Sequence, residues 1–157
     1  MFTRTTAALV LALVAGATAV GCSSEEPAAA DQVVGEGDDY EATIRRTEGG
    51  VPHITGETLA DVSFGQGWAS GEDRTCDLAD QVVKINGERS LWLGRGEADA
   101  NLTSDLAWRT IGIVPRARAD WAGASPDVIE LVTGFTKGWN AHLEHVGADA
   151  VTGWCAG

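Results

Sequence analysis

The chain has 157 residues, enough for one domain of ordinary size, and its 44% hydrophobic and 22% charged composition is that of a globular protein. Eleven Lys and Arg stand against 23 Asp and Glu, a formal net charge of −12. That balance excludes the basic surface that nucleic-acid binding demands, and it disfavours electrostatic attachment to anionic lipid.

The amino terminus reads as a targeting segment, residues 1–21. Arg4 supplies a thin positive region, and Ala7 to Val20 is an apolar run too short to span a bilayer comfortably. It ends in Ala19-Val20-Gly21-Cys22-Ser23-Ser24, which is similar to a bacterial lipobox with Ala19 where Leu is usual. On that reading Cys22 is acylated and becomes the new terminus. The other reading is a plain secretory signal cut near Ala17-Thr18-Ala19, with Cys22 incidental. Residues 22–39 then form an acidic tether. Ser23 to Glu41 holds seven acidic residues and no Lys or Arg, and is expected to be too poor in apolar side chains to order itself.

The folded part is expected over residues 40–157. Tyr40 to Arg45 alternates apolar and polar, as a half-buried strand does. Glu48-Gly49-Gly50 is a turn, and Val51 to Ile54 is the returning strand of a hairpin. Thr58 with Asp61 predicts a capping box at a helix start. Gly65 and Gly67 are poor helix material and imply close approach of a neighbour. Leu78, Val82 and Ile85 share a helical face, and Gly87 ends that helix. Glu88 to Arg118 reads as mixed loops with a short helix near Leu106. Ser125-Pro126-Asp127 is a strong helix start, and Gly147 stops that helix. Val128, Val132, Phe135, Trp139 and Leu143 form its apolar stripe.

Cys76 and Cys155 are left as an even pair once Cys22 is set aside. Either they are bridged, as suits an oxidising compartment, or they are two buried thiols. His142 and His145 lie three apart, but no further ligand is legible, so a solvated helix end is expected rather than a metal site. Ser70 in Gly67-Trp68-Ala69-Ser70-Gly71 sits one place late for a nucleophile elbow. His53 at a strand end is read as structural because no catalytic partner is identifiable, and the pair Asp73-Arg74 because such ion pairs often fix geometry rather than perform chemistry.

Three motif blocks follow one another in a specific order: Gly49-Gly50-Val51-Pro52-His53-Ile54; then Phe64-Gly65-Gln66-Gly67-Trp68 through Gly71-Glu72-Asp73-Arg74; then Asn86-Gly87-Glu88-Arg89-Ser90-Leu91-Trp92-Leu93-Gly94. Asp105 and Arg109 four apart, and Gly138-Trp139-Asn140-Ala141, continue the series. With these, Tyr40 to Gly157 resembles the start of the penicillin acylase family of N-terminal-nucleophile hydrolases. It departs from the family pattern at Ser70-Gly71, where His-Ala is common.

The resemblance implies an α+β fold: the α-chain part of a four-layer αββα hydrolase, mostly helical here with a short amino-terminal hairpin. It implies amide hydrolysis of N-acylated small molecules such as β-lactam side chains, acyl-homoserine lactones or lipopeptides. The nucleophile is a Ser at the start of a separate β chain cut from the same precursor. Family members run to several hundred residues, so this chain is expected to be an amino-terminal piece. It is then expected to hold no catalytic residue, no cofactor and no metal, to pair with the β chain, and to be exported and held at the membrane only by its lipid anchor. A reading from another class is a small anchored lipoprotein that binds a ligand or partner without catalysis; six Trp and an acidic surface would suit it.

Overall fold

The computed structural model describes residues 30–35 and 39–156. The signal peptide, Cys22 and most of the tether lie outside the described residues. The fold is α+β: a three-stranded antiparallel sheet on a predominantly helical body.

The sheet has the order β1 (Gln32–Val34), β2 (Ala42–Arg46), β3 (Pro52–Thr55). The expected hairpin is β2–β3, with Ile44 facing Ile54 and Arg45 facing His53. Its turn needs Gly49 and Gly50, both in the left-handed region at φ 82° and 77°. β1 corrects the reading of the tether at residues 32–34, which form a strand. Val34 is buried opposite Ala42, and Asp31 makes an ion pair with Arg45. One buried Val and a place on a sheet edge suffice to order a stretch whose composition alone cannot.

Helix α1 (Leu59–Ile85) starts as predicted. Thr58 accepts from the Asp61 backbone N–H, and the Asp61 carboxylate accepts from that of Thr58. Residues Phe64, Trp68 and Ala69 form the core with Val34, Ala42 and Ile44 of the sheet. Gly65 allows this approach: a Cβ there would stand 2.6 Å from Ile54 Cγ2 and 2.8 Å from Ala42 Cβ. The helix is bent at Arg74, whose φ and ψ of −149° and 38° leave the helical region.

Residues 88–118 are more helical than the sequence suggests. α2 (Arg89–Trp92) replaces an expected loop, α3 (Ala100–Ile111) contains the helix expected near Leu106, and α4 (Ile113–Trp121) again replaces a loop. Gly112, at φ 70°, both ends α3 and starts α4, so one glycine divides what would be a single pattern. Helix α5 (Pro126–Val146) starts at Ser125, whose hydroxyl accepts from Val128 N–H, and ends at Gly147.

α1 lies between the sheet and α5, and its main partner is α5. The two helices run parallel: Ala60 meets Gly134, Phe64 meets Gly138, and Gly71 meets His142. Glycine sets the closeness of the interface, and of the expected stripe only Phe135, Trp139 and Leu143 are half-buried. A Cβ at Gly67 would collide with the Phe135 carbonyl, and one at Gly138 with the Phe64 carbonyl. Val128 and Val132 of the stripe are exposed instead. α2 to α4 form the return path that parallel neighbours require.

Candidate functional site

The three motif blocks converge on two polar clusters. The first joins the sheet to α1 through Arg46, the last residue of β2. One Arg46 Nη2 donates to Glu72 Oε2 at 2.7 Å and lies 2.9 Å from Asp73 Oδ1, while Nη1 donates to the Gly50 carbonyl. Glu72 also accepts from Gln32 Nε2 of β1 at 2.9 Å and from Trp68 Nε1 at 3.0 Å. Burial pushes the Glu72 carboxyl upward. The hydrogen bonds from Arg46, Gln32 and Trp68 outweigh it and hold the group below its ordinary range. This one carboxylate thereby ties β1, the hairpin and α1 together.

Trp68 continues the cluster into α5. His142 meets its ring edge-on at 5.5 Å between centroids, and His145 lies tilted at 5.3 Å. The expectation of a solvated helix end fails for His142, which is buried against Gly71, with its Nδ1 lacking a hydrogen-bond partner. Gly71, placed one turn from Trp68, removes the side chain that would otherwise hold α5 away. Burial lowers the His142 pKa, with Glu72 opposing and His145 assisting.

A pH dependence follows. The unfolded His142 titrates near its ordinary 6.5, whereas the folded imidazole resists protonation. Its contribution is therefore full above about pH 6.5 and is lost as pH falls below that value. Glu72 and the other depressed carboxylates weaken the fold only in a lower window, beneath their unfolded values. Urea midpoints should drop between pH 7 and 5.5 in the parent chain. In His142→Phe that drop should vanish; an unchanged drop would remove His142 from the account.

The second cluster centres on Asp105, only 4% exposed. Its carboxylate accepts from the backbone N–H of Arg89 and Ser90, both at 2.8 Å, and from Ser90 Oγ at 2.6 Å. Burial raises its pKa, but these hydrogen bonds and the charge of Arg109 bring it below the usual range. Arg109 Nε donates to the Gly87 carbonyl, and Arg89 pairs with Asp80 of α1. The Asp105 and Arg109 spacing was visible in the sequence; that Asp105 caps the short helix α2 was not.

The other named residues sit apart. Asp73 belongs to the Arg46 cluster, Arg74 is exposed at the bend of α1, and His53 is exposed on β3. Ser70 is buried inside α1, its hydroxyl accepting from Gln66. Cys76 and Cys155 form a disulfide, with Cα atoms 5.4 Å apart, that ties the tail to α1. A cleft of about 500 Å³ lies between residues 71–77, His142 and Val146, and residues 150–154. Among the described residues no group of three His, Cys, Asp or Glu side chains is placed to hold a metal. Arg46 was not singled out from sequence, Glu72 stood only within a motif, and His142 was read only as part of a solvated helix end. The Glu72-Asp73-Arg74 motif was the available signal.

Comparison with known proteins agrees with the motif order. A family model described as Penicillin amidase matches residues 41–155. The acyl-homoserine lactone acylase PvdQ of Pseudomonas savastanoi pv. phaseolicola is 38% identical over 108 residues, covering 66% of this chain and 14% of that protein. The aculeacin-A acylase of Actinoplanes utahensis is 34% identical over 120 residues, covering 72% of this chain and 15% of that protein. The chain thus spans about one-seventh of the length of the curated relatives it matches. In three dimensions it is similar to the thermostable penicillin G acylase of Alcaligenes faecalis, with a TM-score of 0.62 and 26% identity, covering 74% of this chain and 55% of that one. By the breadth of these matches, and by the motifs that build both polar clusters, the chain belongs to the penicillin amidase family.

Proposed function

We propose that this chain is the amino-terminal, α-chain part of an exported amidase that cleaves the amide of N-acylated small molecules. The acyl-homoserine lactone and aculeacin acylases among its relatives favour an acylated lactone or lipopeptide over other amides. The match of the family model across residues 41–155 carries this reading. In it, a Ser at the start of the β chain attacks the amide carbonyl, its own α-amino group takes the proton, and β-chain donors hold the oxyanion. The role of this chain is mechanical. Glu72 locks the sheet to α1, and the glycine seam locks α1 to α5, so the β chain meets a preformed surface.

The reading predicts that the 157-residue chain alone does not hydrolyse N-acyl anilides or N-acyl-homoserine lactones. Protein captured from its own cells with an antibody to residues 40–157 should carry a second chain beginning with Ser, and should turn these substrates over. Activity in the isolated chain that disappears in Ser70→Ala would place the chemistry elsewhere. An inactive chain captured without a companion would favour the binding lipoprotein instead.

Export and anchoring through Cys22 belong to the same proposal. No described helix is long and apolar enough to cross a membrane. Intact mass should show the loss of residues 1–21 and the gain of lipid at Cys22. Cys22→Ser should move the protein from the membrane fraction to the soluble one. An unchanged partition would dispose of the anchor.

A further inference from the structure

We infer that the Cys76–Cys155 bridge is a latch worked by thiol exchange: in the folded protein a low-molecular-weight thiol attacks Cys155 Sγ, expels Cys76 and frees residues 150–154 from the cleft. The inference stands apart from the amidase reading, because it uses only residues of this chain.

The two cysteines differ in access. Cys76 belongs to α1 and is 8% exposed. Cys155 is half-buried, and Thr152, Gly153, Trp154 and Ala156 around it are exposed. A nucleophile arriving from solvent therefore meets Cys155 first. The turn that brings Cys155 back to α1 uses Gly153, at φ 105° in the left-handed region. A Cβ there would stand 3.2 Å from Cys76 Sγ, so the turn lies directly against that sulfur.

Among the described residues, little besides the bridge holds this turn. None of residues 150–156 is buried. Their polar contacts with α1 meet at one atom: the Cys155 N–H donates to Cys76 Sγ at 3.2 Å, and the Thr152 carbonyl lies 3.5 Å from the same sulfur. A disulfide in a partly exposed segment is the labile kind, whereas one sealed in a core resists exchange. Residues 150–154 also form part of the wall of the 500 Å³ cleft, with residues 71–77, His142 and Val146. Their release opens that cleft.

The attacking thiolate forms a bond to Cys155 Sγ as the Cys155–Cys76 bond breaks. The electron pair leaves on Cys76, where the Cys155 N–H stands ready to stabilise the new thiolate until it takes a proton from water. A second thiolate attacks the sulfur now attached to Cys155, departs with it as a small disulfide, and leaves Cys155 as a thiolate that is protonated in turn. Two thiols thereby supply the two electrons that reduce the bridge. In an oxidising compartment the latch closes again.

The test treats protein captured from its own cells, bridge intact, with cysteamine in the absence of denaturant. Opening should be first order in cysteamine with no plateau, and its rate should not change in urea below the unfolding transition. Acid quenching and peptide mapping should find the first adduct on Cys155, at least ten-fold over Cys76. Amide exchange in residues 150–156 should rise at least ten-fold on opening, with the far-ultraviolet circular dichroism unchanged. A rate that levels off with cysteamine and climbs with urea would mean that the bridge opens only through unfolding, and it would overturn the latch. A first adduct on Cys76, unchanged exchange in 150–156, or loss of the helical signal on opening would overturn it as well. These readings do not depend on whether the captured protein carries a second chain, so the latch and the amidase reading fail separately.

Discussion

Gly138→Val should cost about 3 kcal/mol of stability or more, the upper range for forcing extra atoms into a packed contact. A Cβ at this position has nowhere to go. It would collide with the Phe64 carbonyl oxygen, and it would meet Phe64 Cα at 3.0 Å. Backbone cannot swing aside as a flexible side chain can, so the two helices must part. Parting them uncovers Phe64 and Trp68, which join α1 to the sheet. Against a typical total of about 5–15 kcal/mol, such a loss is severe. Urea unfolding followed by Trp fluorescence would measure it. Gly123→Ala is the fitting control, since a Cβ there meets only the Asp120 carbonyl at 3.8 Å. Equal midpoints for Gly138→Val and Gly123→Ala would mean that the α1–α5 seam is looser than its geometry.

Cys76→Ser should lower stability by about 4 kcal/mol on the chain-entropy model, because the bridge closes a loop between residues 79 apart in sequence. The loss should appear as a lower denaturant midpoint in the oxidised protein. The parent chain treated with reductant should fall to the same midpoint as the variant. Residues 150–154 should also become sensitive to protease, because the bridge to α1 is what anchors them beside the cleft. If oxidised parent and variant unfold together, then the two cysteines are ordinary small hydrophobic residues.

Both predictions act on the same body. The glycine seam sets how close α5 lies to α1, and the disulfide sets where the chain goes after α5 ends. Between them sits His142, buried against Gly71 and Trp68. Loosening either restraint should let water reach the His142 Nδ1 and blunt the acid sensitivity described above.

Local signals in this chain were legible where one residue type does one thing. Thr58 with Asp61, Ser125 with Pro126, Gly87 and Gly147 mark helix ends because capping satisfies backbone groups within a few residues. The alternation in Tyr40 to Arg45 specified the strand found at Ala42–Arg46 because one face must be buried. The order of the motifs gave the family. The tertiary structure decided what distance along the chain hides. Val33 and Val34 suit a strand, but three residues cannot hold one alone, and β1 forms because β2 lies beside it and α1 packs on Val34. Gly65, Gly67, Gly134 and Gly138 weaken helices taken singly; the last three make sense only where two helix backbones meet, and Gly65 only where α1 meets the side chains of the sheet. The burial of His142 depends on Gly71, 71 positions earlier; periodicity along α5 carries no record of it. Sequence pattern reports the needs of a segment's own backbone and faces. Which face meets which neighbour, and how closely, is fixed only when the whole chain is assembled.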